Sequence, residues 1–245
     1  LDFHTSEHIP GVGSRFNKEN FKKALLLGRV QSINVFAKCH HGWCYCPAKN
    51  GKMHPTLNFD LTGAMMEAAH EIGVRAPLYI TVGWSANDAK EHPEWIVRHK
   101  DGTPALSAGK LDAKPEESKP YFSWYFLCPN GGYDQMIYAL TREICERYDH
   151  LDGLWYDINF MPNTGCWCEA CVKGMKQEGL DPDNTDDALF YYRKKWKTFM
   201  STCCNILKER HKEATVFFNG GGAEPYTPEW HPWQTHFEME DLPTT

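Results

Sequence analysis

Apolar runs and helical spacings alternate along this chain. Val74–Trp84, VRAPLYITVGW, is almost continuously apolar, the pattern of a strand buried on both faces. Asp183–Lys212 carries Leu189, Tyr192, Trp196, Phe199, Cys203 and Ile206 at steps of three and four, so it predicts a long amphipathic helix with a core stripe. Further helices are expected at Asn17–Leu27, at Leu61–Ile72 between the capping Asp60 and Gly73, and at Gly131–Tyr148. Further strands are expected at Leu1–Ser6, Ser32–Lys38, Leu154–Tyr156, Ala214–Phe218 and His236–Asp241. Residues 87–127, with Pro93, Pro104, Pro115 and Pro120, read as a long insertion.

Strand and helix thus alternate, in about five and a half βα units, with helices long enough for right-handed crossovers. No GxGxxG or GxxxxGK[ST] follows the first strand, which disfavours a nucleotide-binding doubly wound sheet. Polar and acidic residues stand where successive strands end: His4, His40 and His41, Trp84, Asp157, Asn219, Glu238 and Glu240. In a (β/α)8 TIM barrel such ends converge on one face. The expectation is therefore an α/β barrel, with residues 1–245 as one catalytic domain that stops after about the sixth strand.

The bulk numbers narrow the function. A net charge of −6 over 245 residues does not favour a nucleic-acid partner. No apolar run of about 18 residues exists, so no membrane partner is expected. The sequence starts at Leu1 rather than Met, which leaves open a preceding segment. The ten cysteines include the close pairs Cys44/Cys46, Cys166/Cys168 and Cys203/Cys204, which bridge poorly. Cys145, Cys203 and Cys204 lie in helical patterns and read as packed thiols. A reducing compartment, the cytoplasm, follows as the expectation.

Leu151–Cys171, LDGLWYDINFMPNTGCWCEAC, holds the densest chemistry. A short strand runs into Asp157, then a loop, then a CxCxxC run. An acid at a strand end can serve as nucleophile or general acid/base, or simply cap its loop. Glycoside hydrolysis needs two carboxylates, about 5–5.5 Å apart for retention and about 6.5–9.5 Å for inversion. Glu238 and Glu240 are the natural second members, and the sequence does not choose between them; either also suits a plain salt bridge. Trp43, Trp84, Trp124, Tyr125 and Trp233 lie in or beside strand-end loops, where rings can face sugars or simply pack. Cys166, Cys168 and Cys171 are three soft ligands, and a structural zinc site wants four. Cys128, in LCPNGGY, is the best fourth, with Cys44 or Cys46 as alternatives.

At these residues a likeness appears. Cys128-Pro-Asn, Asp157 and the CxCxxC run together resemble the zinc-bearing barrel of glycoside hydrolase family 42 β-galactosidases. Tyr156-Asp157 stands where that family has Asn-Glu, and WYD is more similar to the α-L-fucosidases of family 29, whose strand-four aspartate is the nucleophile. Ala37-Lys38-Cys39-His40-His41-Gly42 resembles their AKHHDG segment, interrupted by Cys39, and His4 matches a sugar-binding first-strand histidine. LDFHTS, VFAKCHHG, TVGWS, WYDI and HFEMEDLP together resemble the fucosidase-related family 151, over nearly the whole chain.

The resemblance implies a retaining exo-glycosidase acting on terminal α-L-fucosyl residues of a carbohydrate substrate. Asp157 would be the nucleophile, with Glu238 or Glu240 as acid/base. His4, His40, His41, Trp84 and Asn219 would bind the sugar, and Cys128, Cys166, Cys168 and Cys171 a structural zinc. A homo-oligomer is also implied. The alternatives are a family 42-like β-galactosidase and a non-catalytic carbohydrate-binding barrel.

Overall fold

The computed structural model describes residues 3–107, 124–159, 165–220 and 232–238. Helix α1 (Lys18–Leu27) begins at Asn17, whose side chain accepts from the Asn20 N–H. Strand β1 (Val35–Lys38) leads through a turn to two very short strands, β2 (Trp43–Cys44) and β3 (Lys52–Met53). Helix α2 (Leu61–His70) starts at Asp60, which accepts from the Gly63 N–H at 2.7 Å as expected of that cap. Strand β4 (Leu78–Thr81) and helix α3 (Ala86–Glu91) follow, then α4 (Tyr133–Arg147), β5 (Gly153–Asp157), α5 (Glu169–Gln177), the 26-residue α6 (Thr185–Arg210) and β6 (Thr215–Phe218).

These strands form a six-stranded sheet in the order β3-β2-β1-β4-β5-β6. The run β1-β4-β5-β6 is parallel throughout, while β2 meets β1 antiparallel. The mixed α/β class is as expected. Among the described residues the sheet is open, so the closure expected of an eight-stranded barrel is not seen there.

Two expected strands are not seen as strands among the described residues. Residues 3–6 cross the sheet without a backbone ladder, because their hydrogen bonds go to a side chain. The Thr5 N–H and hydroxyl both meet the Tyr45 hydroxyl, and Phe3 stacks on Phe36 at 4.7 Å. At the other end, residues 236–238 are irregular, and Thr235 rather than His236 pairs with Val216 of β6. Residues 239–241 lie outside the described residues. The expected insertion holds α3, a 3₁₀ turn at Pro93–Trp95 and single bridges such as Leu106 to Tyr125.

The sheet's two faces are sorted by alternation. Ile80, Leu154, Tyr156, Val216 and Phe218 pack toward the helices; the Tyr156 hydroxyl meets Thr141 of α4 at 3.1 Å. The other face carries a ladder of rings, one from each parallel strand. Phe36 stacks on Tyr79 at 3.9 Å, Tyr79 on Trp155 at 5.3 Å, and Trp155 lies 5.4 Å from Phe217. The strand register pairs Phe36 with Tyr79, Tyr79 with Trp155 and Trp155 with Phe217, so the four rings are one layer. Two residues further along, the same face turns polar at Thr81, Asp157 and Asn219.

Candidate active site

Asp157 closes β5 and is 6% exposed. Its carboxylate accepts from the Ile158 N–H at 2.9 Å and from Asn219 Nδ2 at 2.8 Å, both at Oδ1. The Tyr79 hydroxyl donates to Oδ2. All three contacts are donors, which suits an ionised carboxylate. Ile158 has φ +62°, a left-handed backbone that a β-branched residue adopts only when its surroundings force it. What forces it is visible on β4's continuation. A Cβ on Gly83 would meet the Ile158 carbonyl oxygen at 1.9 Å, so glycine alone lets the two strand ends close up beside the acid.

His40 lies 3.6 Å from Asp157 Oδ2 through Nε2. Its proton position follows from its neighbours. The Thr81 hydroxyl donates to the Trp84 carbonyl at 2.7 Å, so at 2.7 Å from His40 Nδ1 it must accept, which puts the imidazole hydrogen on Nδ1. Burial, with His4, Lys38 and His41 adding to it, lowers the His40 pKa from 6.5 to about 2. Its contact with Asp157 is therefore not an ion pair at neutral pH. The Tyr79 hydroxyl that donates to Asp157 Oδ2 also lies 3.5 Å from His40 Nε2, so the phenol, the imidazole and the carboxylate meet at one point.

The depressed pKa sets a stability consequence. Below pH 6.5 the unfolded chain binds a proton at His40 that the folded chain refuses until about pH 2. Stability is thus lost as the pH falls below 6.5. Between pH 7.5 and 4.5 the loss from this group is about 2.7 kcal/mol, roughly 5–11 °C in Tm. In His40→Gln the melting temperature should fall less over that interval than in the parent, by scanning calorimetry at both pH values; parallel falls would refute it.

The other predicted ligands gather at the same place. His4 stacks on His40 with centroids 3.8 Å apart, and its Nδ1 accepts from the His40 N–H at 3.0 Å. His41 stands edge-on to Trp124 at 4.9 Å, and burial lowers its pKa. Trp84 faces His40 edge-on at 5.1 Å and lies parallel to Trp124, 6.4 Å away. The Trp84 indole N–H is buried and has no hydrogen-bond partner among the described residues.

A buried cation braces this wall. Lys38, 0% exposed, reaches from β1 to Asp88 of α3 at 2.8 Å and to Ser85 at 2.9 Å. The Ala86 and Asn87 N–H groups donate to the His40 and His41 carbonyls, so the histidine turn and α3 are one unit. Gly42, at φ +90°, has no room for a Cβ, which would meet Ser85 Oγ at 2.6 Å.

Glu238 is exposed. It accepts from Trp155 Nε1 at 2.9 Å and pairs with His236 at 2.7 Å. Trp155 is two residues before Asp157 on the same face, so Glu238 sits at the rim on the ring layer. Glu240 lies outside the described residues. Sequence reasoning missed Tyr79 and Lys38. A tyrosine hydroxyl buried in an apolar strand needs a partner, and that was the available signal.

The four predicted thiols meet. Cys128, Cys166, Cys168 and Cys171 are all buried, with sulfur atoms within 4.8 Å of one another and Cys128 to Cys171 at 3.5 Å. A tetrahedral ion with bonds of about 2.3 Å separates sulfurs by about 3.8 Å, so the spacing fits. Asn130 Nδ2 donates to Cys171 Sγ at 3.5 Å and the Cys168 N–H to Cys166 Sγ at 3.4 Å. Hydrogen bonds from the other three cysteines lower the Cys168 pKa. Cys168 caps α5 and Cys171 lies in its first turn, where the helix dipole favours thiolates. Cys44 and Cys46, the alternative ligands, lie apart from this cluster. All ten cysteines are free thiols.

A parallel α/β sheet whose strand ends gather a buried carboxylate, imidazoles and indoles belongs to the class of α/β proteins that carry a ligand site at that end. Residues 17–158 match the family described as hypothetical glycosyl hydrolase 6, and the chain belongs to that family. It is similar to α-L-fucosidase isoenzyme 2 from Paenibacillus thiaminolyticus, at 36% identity and a TM-score of 0.84 over 96% of this chain and 34% of that one. It also resembles a β-galactosidase from Halorubrum lacusprofundi, at 14% identity and TM-score 0.58 over 86% of this chain and 36% of that one. A hypothetical protein from Ruminiclostridium thermocellum is 11% identical with TM-score 0.54, over 89% of this chain and 97% of that one. These last two likenesses concern the fold alone. No curated protein matches. The chain spans about a third of the length of the fucosidase. Among the described residues no helix is long and apolar enough to cross a membrane.

Proposed function

We propose that this chain carries the sugar-cleaving site of a retaining α-L-fucosidase, its parallel strands belonging to a (β/α)8 barrel. One observation carries the reading: Asp157, held by three donors, shares its strand-end space with His40 and His4. The 36% identity to a fucosidase supports the choice of sugar.

In the proposed reaction Asp157 attacks the anomeric carbon and forms a glycosyl ester while the glycosidic C–O bond breaks. Glu238 or Glu240 gives its proton to the leaving oxygen, then takes one from the water that hydrolyses the ester. His40 Nε2 accepts from a sugar hydroxyl, and the Trp84 N–H donates to another. His4 and His41 line the same wall. Asn219 and Tyr79 hold the Asp157 carboxylate in place. The four thiols would hold zinc, which braces the loop behind Asp157 and takes no part in the chemistry.

A panel of nitrophenyl glycosides tests the reading. The α-L-fucoside should be hydrolysed with retained configuration, at least tenfold faster than the β-D-galactoside. The reverse order would favour the β-galactosidase reading, and sugar binding without turnover would leave a carbohydrate-binding protein.

A further inference from the structure

The end of the sheet opposite Asp157 holds another group of donors. His70 ends α2, and His150 and Asp152 lie just before β5. His70 Nε2 is 2.7 Å from Asp152 Oδ2, and His150 Nε2 is 3.6 Å from Asp152 Oδ1. The two imidazoles meet edge-on with centroids 5.0 Å apart, and the three donor atoms lie within 4.8 Å of one another.

We propose that His70, His150 and Asp152 form an open metal site for a divalent transition-metal ion of the Zn²⁺ or Ni²⁺ kind, separate from the cysteine cluster. Imidazole and carboxylate are the donors such ions prefer. Bonds of about 2.0–2.2 Å place tetrahedral donors about 3.3–3.6 Å apart, so donor atoms within 4.8 Å of one another need only small side-chain shifts to meet an ion. The carboxylate is pre-oriented, because the Ala76 N–H donates to Asp152 Oδ2 at 2.7 Å. The carbonyl end of α2, with its negative partial charge, is the end that presents His70. A hollow of about 630 Å³ beside His150 and Asp152 gives access from solvent. Arg75 and Arg210 line it too, and Arg210 is turned to Asp149 at 3.6 Å.

A simple His70–Asp152 ion pair explains one contact and leaves the second imidazole without a purpose. On binding, the ion takes the place of the hydrogen that His70 Nε2 shares with Asp152, and the neutral ring carries its one hydrogen on Nδ1 instead. Three protein ligands leave one position for water. The ion would tie the end of α2 to the entry of β5, at the face of the sheet where contacts serve stability rather than chemistry. None of this rests on the glycosidase reading.

The test is titration of the protein with Ni²⁺ by calorimetry, after one equivalent of Zn²⁺ has filled the thiols. The parent should take up one further ion, without the strong absorption of nickel thiolate. His150→Ala and His70→Gln should each bind that ion at least roughly tenfold more weakly. Absence of a second ion in the parent, or unchanged affinity in His150→Ala, would overturn the site. The His150 side chain is 76% exposed, so its variant should fold even where His70→Gln does not.

Discussion

Asp157→Gly should lower kcat on an aryl α-L-fucoside by about 10³-fold or more, and added azide should restore part of the rate. In the mechanism proposed above Asp157 forms the covalent intermediate, and that role sets the size of the loss. The rescue follows from the same proposal: glycine vacates the space of the Asp157 carboxylate, and a small anion can enter it. The azide product should have inverted configuration, which distinguishes rescue of a nucleophile from rescue of a general acid. The variant also removes the acceptor of the Asn219 and Tyr79 hydrogen bonds, so its melting curve must accompany the kinetics. A folded Asp157→Gly protein with parental activity would refute the assignment.

Much of this arrangement was legible in the sequence because its signals are local. The apolar stripe of α6 and the near-continuous apolar run of β4 depend only on spacing. Asp157 was found because an acid breaks a strand pattern, and His40 and His41 because they follow one. The thiol cluster was legible although Cys128 stands 38 positions before Cys166, since a tetrahedral site demands a fourth ligand. Other parts were not legible, because they depend on what lies across the sheet. Tyr79 reads as packing until β5 is laid beside it in register. Lys38 reads as a solvated strand end, yet it is fully buried against α3. The strands β2 and β3 have two residues each, too few for any period. Residues 3–6 alternate like a strand, but the Tyr45 hydroxyl captures their hydrogen bonds.

Cys166→Ser should remove bound metal and with it much of the fold's resistance to heat. The parent is expected to carry one zinc per chain, by elemental analysis, and the variant to carry substantially less. Metal binding free energy is folding free energy where the site forms only in the native state. A loss of about 4 kcal/mol corresponds to roughly 8–16 °C in Tm for a chain of this size. The effect should reach beyond the cluster. Trp167 N–H donates to the Arg98 carbonyl, and Cys128 N–H to that of Trp95, so the thiols anchor the segment that follows α3. Equal zinc content in parent and variant would show that the four sulfurs pack without an ion.

The ladder of Phe36, Tyr79, Trp155 and Phe217 lays an aromatic floor beneath the carboxylate. Those rings touch one another across all four parallel strands, directly below the acid. A polar ligand above that floor finds few partners beneath it and must take its hydrogen bonds from Asp157 and the groups around it.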